Sequence, residues 1–90
     1  MAAQRTVRLK TRERRELEYY RDHDARPYVR ERCGAVLKIA EGHTPHAVAR
    51  QGLLKPRDPD TLYGWLEVYA DEGVAGLLAH QHGGDRRRSL

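Results

Sequence analysis

Residues 53–69 read LLKPRDPDTLYGWLEVY, a proline-studded turn with charges of both signs that runs straight into an apolar-periodic segment. Leu62, Trp65, Leu66 and Tyr69 fall at offsets 0, 3, 4 and 7, the repeat of one helical face, while Asp60, Gly64, Glu67 and Asp71 take the opposite face. Asp58 offers a short carboxylate for an N-cap, and Pro59 brings the fixed φ suited to a first helical position. A helix is therefore expected over residues 59–72, stopped by Gly73, with one short apolar turn over 74–79.

Working back along the chain, TPHAVARQG predicts a short helix over 45–51. Thr44 is its cap, Pro45 its first residue, Val48 and Ala49 face inward, and Gly52 ends it. Before that, Val29, Cys33, Val36, Leu37 and Ala40 stand at offsets 0, 4, 7, 8 and 11, one continuous stripe of a central core helix over 27–41. Gly42 is placed to close that helix with a left-handed residue. Arg26, Arg30 and Arg32 project from its other faces. The segment TRERRELEYYRDHD predicts a further helix over 12–23, capped by Thr11, whose stripe of Leu17 and Tyr20 is thin enough for packing at an edge only. Residues 1–10 read as a basic arm and 80–90 as a flexible basic tail. The fold expectation is thus all-α, a bundle of four to five helices over 11–79 with flexible basic termini. Its core comprises Val29, Cys33, Val36, Leu37, Ala40, Val48, Leu62, Trp65, Leu66 and Tyr69.

Ninety residues form one small domain, with 39% hydrophobic residues and no Phe, enough for a few packed helices but not for a deep enzyme cleft. A single cysteine excludes an internal disulfide and suits a reducing cytoplasm, and no apolar run is long enough to be a membrane span. No Gly-rich phosphate loop and no nucleophile–base pair occurs, so the expectation is a non-enzyme without a cofactor. His43, His46, His80 and His82 match no established zinc spacing, so no metal is expected. The net charge of +4 is unevenly spread. Residues 1–38 hold eleven Lys/Arg against six Asp/Glu, 39–79 three against six, and 80–90 three against one. Basic flanks around an acidic middle suit a polyanionic partner.

A short helix, a turn and a longer helix with an inward aromatic make the pattern of a helix-turn-helix, whose second helix enters the major groove of DNA. Three stretches carry a more specific likeness: LKTRERRELE, RCGAVLKIAEGHTPHAVAR and TLYGWLEVYADEGVAGLL. Within them Ala40-Glu41-Gly42, Val48-Ala49-Arg50, Thr61-Leu62-Tyr63 with Trp65, and the closing run Glu72 to Leu78 match. Over about residues 8–88 the chain resembles the N-terminal DNA-binding region of mariner-related bacterial insertion-sequence transposases. The resemblance implies a homeodomain-like helix-turn-helix that binds terminal inverted repeats of double-stranded DNA. It also implies a cytoplasmic, nucleoid-associated protein, a stand-alone or truncated relative acting as a repressor or transposition modulator. The chain departs from the family in three ways. Its turn is about three residues longer. Asp60 and Gly64 stand where relatives often carry Arg or Lys. It stops at Leu90, ahead of the family's catalytic domain.

On these grounds Thr61 and Tyr63 lead as base-contacting residues, with Asp60 and Gly64 beside them. A Thr hydroxyl bonds phosphate or base, and its methyl meets a thymine methyl. Tyr63 has a second reading as a ring flanking the core, and Asp60 one as a stabiliser of the helix dipole. Arg50, Lys55 and Arg57 are placed for phosphates, and Arg86, Arg87 and Arg88 either lie along a narrow minor groove or form an inert charged end. The competing expectation is a helical protein-interaction or dimerisation module using the acidic outer face of the 59–72 helix. A homodimer is compatible with either reading, and neither calls for a small-molecule substrate.

Overall fold

The computed structural model describes residues 7–53 and 55–79. The basic arm up to residue 6 and the tail with Arg86, Arg87 and Arg88 lie outside the described residues. Five helices lie within them, α1 (Thr11–His23), α2 (Pro27–Ala40), α3 (Pro45–Gln51), α4 (Pro59–Glu72) and α5 (Val74–Leu78). The architecture is all-α, with no strand among the described residues. No helix there is long and apolar enough to cross a membrane.

α2 is the centre of the bundle. Val29, Cys33, Val36 and Leu37 are fully buried, and so are Ala35 and Ile39, which lie outside the expected stripe. The burial is this broad because α1, α3, α4 and α5 all pack against α2. Ala40, expected in the core, is only half-buried, since it is the last residue of the helix and sits where the chain turns out. The helix ends in a complete Schellman motif: the His43 N–H donates to the Lys38 carbonyl at 3.1 Å and the Gly42 N–H to that of Ile39 at 3.0 Å. Gly42 has φ 113°, a conformation an L side chain resists.

α1 differs from expectation at both its start and its packing. Lys10, not Thr11, is the flanking residue, and the Glu13 carboxylate accepts from the Lys10 N–H at 2.9 Å. Leu17, the one fully buried residue of α1, is wholly covered, so this helix docks broadly on α2 and does not merely touch its edge. Between α1 and α2 Asp24 holds the corner. Its Oδ1 accepts from the Arg26 backbone N–H at 2.8 Å and from Nε at 3.0 Å, and its Oδ2 accepts from Nη2 at 2.9 Å. The Arg26 side chain, helped by its backbone N–H, holds the Asp24 carboxyl at about 2, below its ordinary value. A carboxylate depressed on folding stabilises above its unfolded pKa, and that contribution is lost as pH falls through the folded one. Acid titration of the fold should therefore show a component lost from about pH 4 down to pH 2 that is missing from Asp24→Asn. Urea midpoints measured across that window test it, and an identical acid limb in the variant refutes it.

α3 begins as expected, with the Thr44 hydroxyl accepting from the Ala47 N–H at 3.1 Å, and it buries Pro45, Val48 and Ala49. α4 runs over the expected 59–72, but only Leu62 and Leu66 are fully buried. Trp65 and Tyr69, expected in the core, are half-buried rings that pack against it from the side. The reason is angular: the two leucines hold the centre of the inward arc, which leaves the larger rings on its shoulders. Gly73, at φ 69°, closes α4 and starts α5, which lays Gly76 and Leu77 into the core.

Arg32, expected to project from α2, instead lies half-buried along the bundle. Its Nη1 donates to the carbonyls of Leu77 at 3.2 Å and Ala79 at 3.1 Å, and its guanidinium sits 4.8 Å from the Tyr28 ring centre and 5.9 Å from that of Trp65. The Tyr28 hydroxyl donates to the Leu78 carbonyl at 2.9 Å. Side chains of α2 thus satisfy the carbonyls at the carboxyl end of α5, which a five-residue helix cannot satisfy internally.

Candidate nucleic-acid interface

The chain reaches α4 through a turn fixed at two points. The Arg57 N–H donates to the Ala49 carbonyl at 2.7 Å, and the Arg57 side chain forks onto Glu31 of α2, Nε to Oε2 and Nη2 to Oε1, each at 2.8 Å. That planar two-bond geometry is the strong form of an ion pair, and it raises the Arg57 pKa further. One residue on, Asp58 caps α4, its Oδ1 accepting from the Asp60 N–H at 2.9 Å, while the Thr61 N–H donates to the Asp58 carbonyl at 2.9 Å. The turn residues therefore do not leave the start of α4 loose. They tie it to α2 and α3.

Along α4, Asp60 and Glu67 are exposed, Thr61, Tyr63 and Gly64 are half-buried, and Leu62 and Leu66 face inward. Between residues 60 and 67 the side turned away from Leu62 and Leu66 forms a partly accessible ridge, open at Asp60 and Glu67 and half-covered at Thr61, Tyr63 and Gly64. Thr61, Tyr63, Asp60 and Gly64 come together on the first turns of that ridge. The Tyr63 ring meets His46 of α3 edge to face, with centres 6.1 Å apart. His46 is exposed and had no place in the sequence reading of the ridge. Its position directly after Pro45, in the first turn of α3, is the signal that marks it.

The basic residues assigned to phosphate divide. Arg50 on α3 and Lys55 in the turn are exposed, whereas Arg57 is engaged by Glu31, so a phosphate must compete with a carboxylate for it. The exposed side of α4 carries Asp60, Glu67 and Asp71, a negative surface next to these cations.

Other chemistry is thinly supplied. Among the described residues no group of three His, Cys, Asp or Glu is placed to hold a metal ion. Cys33 is fully buried, and burial pushes its thiol up to about 11, away from the reactive thiolate. A thiol reagent such as dithionitrobenzoate should leave it untouched in native buffer and titrate one equivalent in concentrated urea. Rapid labelling of the native chain would contradict the burial.

No family model matches the chain, and no curated protein or solved structure matches it either.

Proposed function

We propose that the chain binds duplex DNA, with α3, the turn and α4 acting as a helix-turn-helix braced by α2 in a homeodomain-like arrangement. The observation that carries this reading is the ridge of α4. Only Leu62 and Leu66 are fully buried, and the accessible side begins directly after a pinned turn with an exposed lysine. Rigidly held, it enters a major groove with Thr61 and Tyr63 leading, while Arg50, Lys55 and Arg57 meet phosphates. Asp60 and Gly64 flank the reading residues. Arg86, Arg87 and Arg88 add cations that suit a minor groove. The resemblance to mariner-related insertion-sequence transposases makes terminal inverted repeats the natural target. Occupying them would repress or modulate transposition.

Selection from random duplexes at low salt tests the reading. A consensus should emerge that Thr61→Ala or Tyr63→Ala abolishes and Lys55→Ala only weakens. Three phosphate contacts predict a slope of about −2.7 for log affinity against log salt. No enrichment at low salt would overturn it.

One observation favours a second reading, a protein-docking module: Asp60, Glu67, Asp71 and Glu72 are all exposed on α4. Self-association or partner capture that is insensitive to salt, without duplex binding, would select it.

A further inference from the structure

A cleft of 570 Å³ opens between α2 and the turn that leads into α4. Its wall brings together Arg30 and Lys38 of α2 with Lys55 and Arg57 of the turn, and Glu31 is its one acid among the described residues. Both Glu31 oxygens are taken by the Arg57 fork at 2.8 Å, so this pair neutralises itself. Arg30, Lys38 and Lys55 form no ion pair among the described residues, and all three are exposed. Arg30 is steered by one bond, Nη1 to the Asp24 carbonyl at 2.7 Å, which leaves its other nitrogens available. Gly52, also in the wall, lets the Lys38 stem pack close to the chain, since a Cβ there would meet Lys38 Cδ at 3.3 Å.

Three cations from two separate segments face one concavity whose only acid is already matched. Such a concavity focuses positive potential and selects a compact, multiply hydrogen-bonding anion. We propose that this cleft seats a phosphate group between Arg30, Lys38 and Lys55, and that the backbone of a DNA duplex supplies it. The choice of source rests on the DNA-binding reading above and on position. Arg57 of the wall directly precedes the Asp58 cap, so the cleft is joined to α4 through the turn. Arg57 also holds the turn to Glu31, and two α2 residues that periodicity alone assigns to a solvated surface join the grip.

The test uses the 90-residue chain, titrated separately with a 20-base-pair duplex of random sequence (an arbitrary length of about two turns) and with inorganic phosphate, read by backbone amide shifts and by salt-dependent affinity. The double variant Lys38→Gln/Lys55→Gln is compared with Arg12→Gln/Arg15→Gln, exposed on α1 and not part of the wall. Loss of this one phosphate contact should reduce the salt slope by about 0.9 and lower affinity at low salt about tenfold, with the α1 variant much less affected. Duplex binding with an unchanged slope in the cleft variant overturns the cleft and leaves DNA binding standing. Absence of duplex binding, with saturable phosphate shifts at the cleft that the variant loses, keeps the phosphate site and overturns the DNA reading. Absence of both overturns both.

Discussion

Leu17→Ala should cost about 2–5 kcal/mol, a large part of what holds the bundle together. Leu17 is 0% exposed and is the only fully buried residue of α1, so truncation removes the anchor of the whole helix and leaves a void against α2. Chains of this size are stable by roughly 5–10 kcal/mol, so the variant should melt many degrees lower or populate a state with α1 undocked. Tyr19→Ala, two residues away on the same helix, removes a larger side chain that is 59% exposed. It should cost under about 0.5 kcal/mol. Urea midpoints for the pair decide the matter, because helix propensity favours alanine at both sites and Tyr19 loses only exposed ring contacts with Tyr20 and His23 where Leu17 loses its burial. Equal midpoints would mean that α1 does not dock through Leu17.

The second large effect belongs to Arg32. Arg32→Met keeps the stem but deletes the donors to the Leu77 and Ala79 carbonyls and the cation beside the Tyr28 and Trp65 rings. Hydrogen bonds from a charged donor contribute about 1.5–3 kcal/mol each. Against this stands the cost of burying a guanidinium, visible in the lowered pKa of Arg32 and in its Nε, which is buried without a hydrogen-bond partner among the described residues. The donors outweigh that cost because methionine leaves two carbonyls at the end of α5 without their protein partners. A net loss of about 1–3 kcal/mol is expected, with a fall in melting temperature on the order of 10 °C. Trp65 emission should change in the folded variant as the cation departs from its ring. An unchanged midpoint would show that the desolvation cost cancels the bonds.

Arg32 also marks where sequence reading stops. Periodicity assigns a charged residue to the outside, and nothing local announces that an arginine will turn along the bundle to close a helix 45 residues further on. The fork between Arg57 and Glu31 joins residues 26 apart and is equally invisible to spacing. What spacing and caps do reveal is local: α4 from Asp58-Pro59 to Gly73, α3 from Thr44-Pro45, and the close of α2 at Gly42. Leu17 falls between these cases. Its burial depends on what packs over it, and one apolar position among charges gives little sign of that. Trp65 is legible as inward but not as peripheral, because a helical repeat gives direction and not depth. Of the candidate interface, the clustering of Thr61 and Tyr63 follows from their shared turn, while His46 and the cleft cations come together only in the folded chain.

Three positions on the outward side of α4, Gly64, Glu67 and Asp71, contribute little to the stability of the fold. An added Cβ at Gly64 would meet nothing within 4 Å, and Glu67 and Asp71 are exposed. Exchanges at these three positions, Gly64→Arg among them, should leave the melting temperature almost where it is. What α4 shows to solvent can therefore change without loosening the bundle, since surface character and endurance reside in different residues.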